Sequence, residues 1–177
     1  MNRYAAFLRG INVGGHKSVK MDELKKTFHY IGFKNVKTVL ASGNVLFEAT
    51  KAGTDTLSKK IGEKLKETFG FEIGVIVRTI EELQQLSDLN PFIGIKVTPQ
   101  TRLYVTFLSE KFKSSLKIPY ESLDKKFKIL KVSATEICSV LTLTPTSRTV
   151  ELMAILEKEY GKKVTTRNWN TIIKLIK

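Results

Sequence analysis

The chain has little of what builds metal centres or covalent frameworks. It holds one cysteine, Cys138, and two histidines among 177 residues. A single thiol rules out a disulfide framework, and so few soft ligands rule out a cysteine-cluster or dedicated zinc site. No metal and no cofactor is expected. No apolar run approaches the roughly 20 residues that a bilayer-spanning helix needs. The opening stretch MNRYAAFLRGIN lacks the apolar core of a secretion signal, so a cytoplasmic protein without membrane partners is the expectation. Acidic residues are also scarce, 17 against 30 Lys and Arg. Yet no five like charges stand together, which excludes a disordered basic arm.

What is present suffices for a core. Apolar residues make up 42% of the chain, which excludes wholesale disorder. The length suits one domain or two small ones. The net charge of +13 reads either as a surface that attracts polyanions or as solubilising lysines on solvated helix faces.

Hydrophobic spacing sets out a plan. Residues 3–9 read as a strand and residues 10–18 as a loop bearing Gly10, Gly14 and Gly15. Met21, Leu24, Phe28 and Ile31 form a helix stripe that Gly32 stops. Residues 35–41 and 44–49 flank Ser42-Gly43, a two-residue hairpin signal. In that register Leu40 faces Val45, Thr38 faces Phe47 and Lys37 faces Glu48. Leu57, Ile61, Leu65 and Phe69 make a second stripe, ended by Gly70. Residues 71–78 then read as a strand and 80–86 as a short helix.

The second half repeats this order. Residues 104–108 echo residues 4–8, and residues 111–123 read as a weaker helix interrupted by Pro119. Residues 127–132 and 137–143 form a hairpin around 133–136. Residues 150–160 are a helix ended by Gly161, and residues 164–167 a last strand. Trp169, Ile172, Ile173 and Ile176 form a closing stripe, capped by Thr166 or Asn168. Six like elements in one order predict an internal duplication. The expected fold is α+β: two tandem ferredoxin-like units, each βαββαβ plus a helix, with mixed or antiparallel sheets. Their bounds are 1–88 and 102–177, with 89–101 as the connection. Units of about 85 residues bury thin cores, so the two are expected to pack together as one compact protein.

A unit of this type orders its strands 4-1-3-2. That order sets the loop at 10–18 beside the bend at Ser42, Gly43 and Asn44, with residues 70–72 entering at the same end. Arg9 and Lys17 would supply charge there. Asn12, Ser42 and Asn44 would orient a ligand by hydrogen bonds, and Gly10, Gly14, Gly15 and Gly43 would let backbone N–H groups approach it. Arg167, in the last strand, would add a further anion contact. The plainer alternative is that the glycines supply positive φ and Asn44 bonds its own turn.

Familiar motifs fail. Residues 10–18 resemble a phosphate-binding loop with His16 inserted, but the insertion displaces Lys17 and the helix begins too late. GxGxxG is absent. The aromatic pattern of RNA-binding sheets is absent from GNVLFEA. His29 lies off its helix stripe, on the surface. Cys138 reads as a small buried residue rather than a nucleophile.

Three segments, FLRGINVGGHKSVKMDEL, VKTVLASGNVLFE and TTRNWNTIIKL, resemble a bacterial family catalogued as domain of unknown function 1697. The resemblance spans nearly the whole chain. It implies a two-part α+β protein of the bacterial cytoplasm and supplies no activity or catalytic residue. The leading functional expectation is therefore binding of an anionic or polar ligand at the glycine-rich loop: a nucleotide, a phosphorylated metabolite or a nucleic-acid backbone. Two alternatives stay open. One is an enzyme on a small substrate, with His16 as acid/base and the loop as oxyanion cradle. The other is a protein-interaction module using an open sheet face.

Overall fold

A computed structural model describes residues 1–111, 116–146 and 149–177, with the side chains of 149–151 left aside. The chain divides into two compact units, residues 1–85 and 86–175.

The first unit begins with β1 (Asn2–Arg9), α1 (Met21–Tyr30), β2 (Lys34–Val39) and β3 (Asn44–Ala49). α2 (Thr54–Phe69), β4 (Gly74–Thr79) and α3 (Ile80–Asp88) follow. Its sheet runs β2-β3-β1-β4, which is 4-1-3-2 read from the other edge. Every pairing is antiparallel. β1 is central and buried from Tyr4 to Leu8, as its unbroken apolar run requires. Tyr4, Ala6 and Leu8 point to one face by the two-residue period of a strand. There they meet Val45, Phe47 and Val77, Leu24 and Phe28 of α1, and Leu57, Ile61 and Leu65 of α2.

Phe47 is the hub of this core. Its ring lies 4.5 Å from Phe33 and 5.5 Å from both Tyr4 and Phe28. The Tyr4 hydroxyl donates to the Ala52 carbonyl and accepts from the Ala52 N–H, both at 3.2 Å. The polar tip of a buried ring thereby ties down the entry to α2. Local signals end the helices. Gly70 adopts a left-handed φ of 80° and its N–H bonds the Lys66 carbonyl. Thr79 and Glu82 form a reciprocal capping box at the start of α3, with contacts of 2.7 and 3.0 Å.

The second unit holds β5 (Thr101–Leu108), β6 (Tyr120–Glu121), β7 (Phe127–Val132) and β8 (Glu136–Thr142). α4 (Thr149–Tyr160), β9 (Val164–Asn168) and α5 (Trp169–Ile176) complete it. Its antiparallel sheet runs β6-β7-β8-β5-β9. Without the short edge strand β6, that is the order of the first sheet. The correspondence extends to single bonds. Leu8 N–H donates to Gly43 O at 2.8 Å, and Leu108 N–H donates to Thr135 O at 2.9 Å. Tyr4 pairs with Thr79 as Tyr104 pairs with Asn168, and Asn168 caps α5 by accepting from Asn170 N–H.

Two expectations are corrected. Residues 116–123 are not helical; Tyr120 and Glu121 pair with Ile129 and Lys128. Pro119 lacks the helix donor and disfavours helical geometry in the residue before it. Residues 112–115 of that expected helix lie outside the described residues. The first hairpin is also shifted. Thr38 pairs with Val45 and Lys37 with Leu46, while Glu48 pairs with Lys34 across a bulge. Leu40 does not face Val45; it sits in a four-residue turn, exposed, with φ of 61°. The turn is longer because Leu40 and Gly43 both adopt left-handed geometry and Asn44 Nδ2 closes it by donating to Val39 O at 2.8 Å.

Truncating the hub tests this account of the core. Phe47→Ala should cost about 3–5 kcal/mol of unfolding free energy, read from the urea midpoint. Phe47→Leu should cost clearly less. Equal, small losses would remove Phe47 from the centre of the core.

Candidate functional site

The strand order brings two bends to one end of the first sheet. β1 ends beside the start of β3, with Phe7 opposite Asn44, and beside the start of β4, with Arg9 opposite Gly74. The loop after β1 is itself a miniature hairpin. Asn12 N–H bonds Lys17 O, and His16 N–H bonds Val13 O, both at 3.1 Å. Gly14 and Gly15 form its tip, with φ of 60° and 75°. Two consecutive positive φ angles define a type I′ turn, which glycine adopts without steric cost.

Asn12 joins this hairpin to its neighbours. Its Nδ2 donates to Val19 O and to Ala41 O, each at 3.0 Å, and its Oδ1 accepts from Val19 N–H at 2.8 Å. One amide therefore ties both ends of residues 12–19 together and stitches them to the β2–β3 turn. Gly43 sits tightest of all. A Cβ there would lie 2.8 Å from Leu8 Cβ and 2.9 Å from Ile11 Cδ1. Asn44 is fully buried and also donates to Ser42 Oγ at 3.1 Å.

Charge lies around this seam. Arg9 is half-buried at the end of β1, and His16, Lys17 and Lys20 are exposed. Lys17 Nζ donates to Glu72 O at 3.1 Å and stands 5.8 Å from the Phe71 ring centroid. Lys66 pairs with Glu72 at 2.9 Å. Their hydrogen bond and mutual attraction lower the Glu72 carboxyl pKa and raise that of Lys66. Both are fully exposed, so this contact does little for stability.

The structure thus brings Arg9, Gly10, Asn12, Gly14, Gly15 and Lys17 to the same rim as Ser42, Gly43 and Asn44. It gives several of them local work: Asn12 and Asn44 hold loops, and Gly43 permits a close approach. Arg167 belongs to the second unit. It is buried on β9 and donates to Thr165 Oγ1 at 2.8 Å and Thr166 O at 2.9 Å. Burial lowers its pKa to about 10, which leaves it charged at neutral pH. Trp169, two residues on, meets Phe92 edge-on at 5.3 Å. Two rim residues escape sequence reasoning, Val13 and Leu40, which are 65% and 51% exposed. The shorter hairpin turn expected from Ser42-Gly43 places Leu40 inside the sheet, so the sequence carries no signal for it.

Other candidates are inert. Cys138 is buried, and burial pushes its thiol up to about 12, so the reactive thiolate is scarce at neutral pH. Tyr4 and Phe47 face the core rather than an open sheet surface. Among the described residues, no group of three His, Cys, Asp or Glu is placed to hold a metal ion. No described helix is long and apolar enough to cross a membrane.

This architecture, an α+β chain with two antiparallel sheets, is shared with a solved structure. The conserved bacterial protein SP0830 from Streptococcus pneumoniae matches with a TM-score of 0.73 at 22% identity. The match covers 98% of this chain and 96% of that one. Residues 1–137 match the family described as protein of unknown function, DUF1697, and the chain belongs to that family. The matched stretch contains the whole rim and stops before the segment around Arg167. No curated protein matches the chain.

Two outcomes check the local geometry. Asn12→Ala should speed hydrogen exchange at the Val19 amide by at least tenfold while leaving Phe47 protected. An unchanged Val19 amide would mean that the asparagine is not the clasp. Native protein should resist thiol reagents at Cys138 until unfolded; fast native modification would contradict its burial.

Proposed function

We propose that the rim of the first unit binds an anionic ligand through Arg9 and Lys17, on a backbone that Asn12, Gly43 and Asn44 hold in place. The supporting observation is the Asn12 clasp. It makes a glycine-bearing loop and a second bend one ordered surface, with cations at its edge. An ordered surface spares the ligand the entropy of arranging its own site. The net charge of +13 would draw polyanions to it. His16 stands exposed at the hairpin end rather than shielded from water, so binding is better supported than catalysis.

The two units are read in the same spirit as ferredoxin-like variants from one duplication. The shared strand order and the paired Leu8 and Leu108 bonds support this.

Retention on heparin and thermal shift with polyphosphate test the binding reading. Wild type should elute only at raised salt, with a steep dependence of affinity on salt. Saturating polyphosphate should raise the melting midpoint by a few degrees. Arg9→Ala and Lys17→Ala should each flatten the salt slope by about one unit. Elution at low salt, or slopes indifferent to both variants, would count against the rim.

A further inference from the structure

We infer that the anion taken by this rim is single-stranded nucleic acid, whose bases rest on Val13 and Leu40 while its phosphates meet Arg9, Lys17 and Lys37. The inference rests on the binding reading above and adds the ligand's class to it. It starts from a residue placed against two ordinary preferences at once. Leu40 has φ of 61° and is 51% exposed. A branched, bulky side chain costs roughly 1–2 kcal/mol in left-handed geometry, and a leucine left half exposed recovers only part of the burial energy that would offset it. Glycine or asparagine would serve the same turn at lower cost. Conflict between local preference and native geometry concentrates where a surface has work to do.

Val13 supplies the second apolar contact. The Asn12 Nδ2 bond to Ala41 O sets the two loops side by side. Val13 follows Asn12 and Leu40 precedes Ala41, so an exposed aliphatic side chain flanks each end of that bond. Cations lie to either side of them: Arg9 against Gly74 and Lys17 on Glu72 O, both toward the entry to β4, and Lys37 exposed on β2 at the other edge of the sheet. Apolar side chains flanked by cations suit a ligand that carries flat apolar groups between anionic ones. A bare phosphate would use only the cations. A lone nucleotide would use only part of the rim, because the four strands β2-β3-β1-β4 span about 14 Å at the usual strand spacing. A strand of several nucleotides matches both the chemistry and the length: its phosphates meet the cations, and its bases offer flat apolar faces that the two aliphatic side chains can cover.

The test compares ligands that share phosphates but differ in bases. Fluorescein-labelled oligothymidylate is titrated into wild type, Leu40→Gly and Val13→Ser, and polyphosphate and thymidine monophosphate are run as competitors. Leu40→Gly should bind the oligonucleotide about five- to tenfold more weakly. Its melting midpoint should hold or rise, because glycine relieves the left-handed strain. That separates lost contact from lost fold. Val13→Ser should weaken oligonucleotide binding likewise, and neither variant should alter competition by polyphosphate. Thymidine monophosphate should compete poorly. If oligonucleotide and polyphosphate bind alike and both variants leave them unchanged, the base contacts are refuted while the cationic rim survives. Monophosphate competing as well as the oligomer would refute an extended strand. If nothing anionic binds, both readings fall together.

Discussion

The rim hangs on one close approach. Gly43 lies against Leu8 and Ile11 with no room for a Cβ, and its carbonyl takes the Leu8 N–H at 2.8 Å. That contact seats the β2–β3 turn on the end of the central strand. Only then can Asn12 reach Ala41, and only then does Asn44 sit deep enough to close the turn through Val39. The backbone freedom of a single residue thus decides whether two loops, some thirty residues apart in the chain, share an edge.

The second unit meets the same constraint with different chemistry. Leu108 donates to Thr135 as Leu8 donates to Gly43, but Thr135 has no positive φ. Its turn is braced by Ser133, which accepts from Thr135 and Glu136 N–H groups. What the two halves share is a backbone bond between a strand end and a hairpin turn. What differs is the side-chain device around it, so the two units agree in strand order without offering the same surface.

Much of this was legible beforehand, for physical reasons. Helices α1 and α2 announced themselves because their buried residues recur at helical spacing and a glycine follows each. The strand order followed from chain connectivity, and with it the meeting of residues 10–18 and 42–44. The failures have equally local causes. Ser42-Gly43 looks like a two-residue turn, and nothing in the side chain of Leu40 advertises a left-handed backbone, so the sequence pattern misplaces the register and puts an exposed leucine inside the sheet. The stretch around Pro119 kept a helix-like apolar spacing that the proline overrode. For the site, residue types were readable but their employment was not. Asn12 and Asn44 are plainly polar in the sequence, yet only the fold shows that their amides bond carbonyls of the same unit.

The walled-in position of Cys138 has a practical side. A cysteine introduced at exposed Ser42 would be the sole accessible handle for a fluorophore, with the unaltered protein as its blank. A dye placed there would sit beside the seam between the loops and report on whatever approaches it, with no native thiol to remove first.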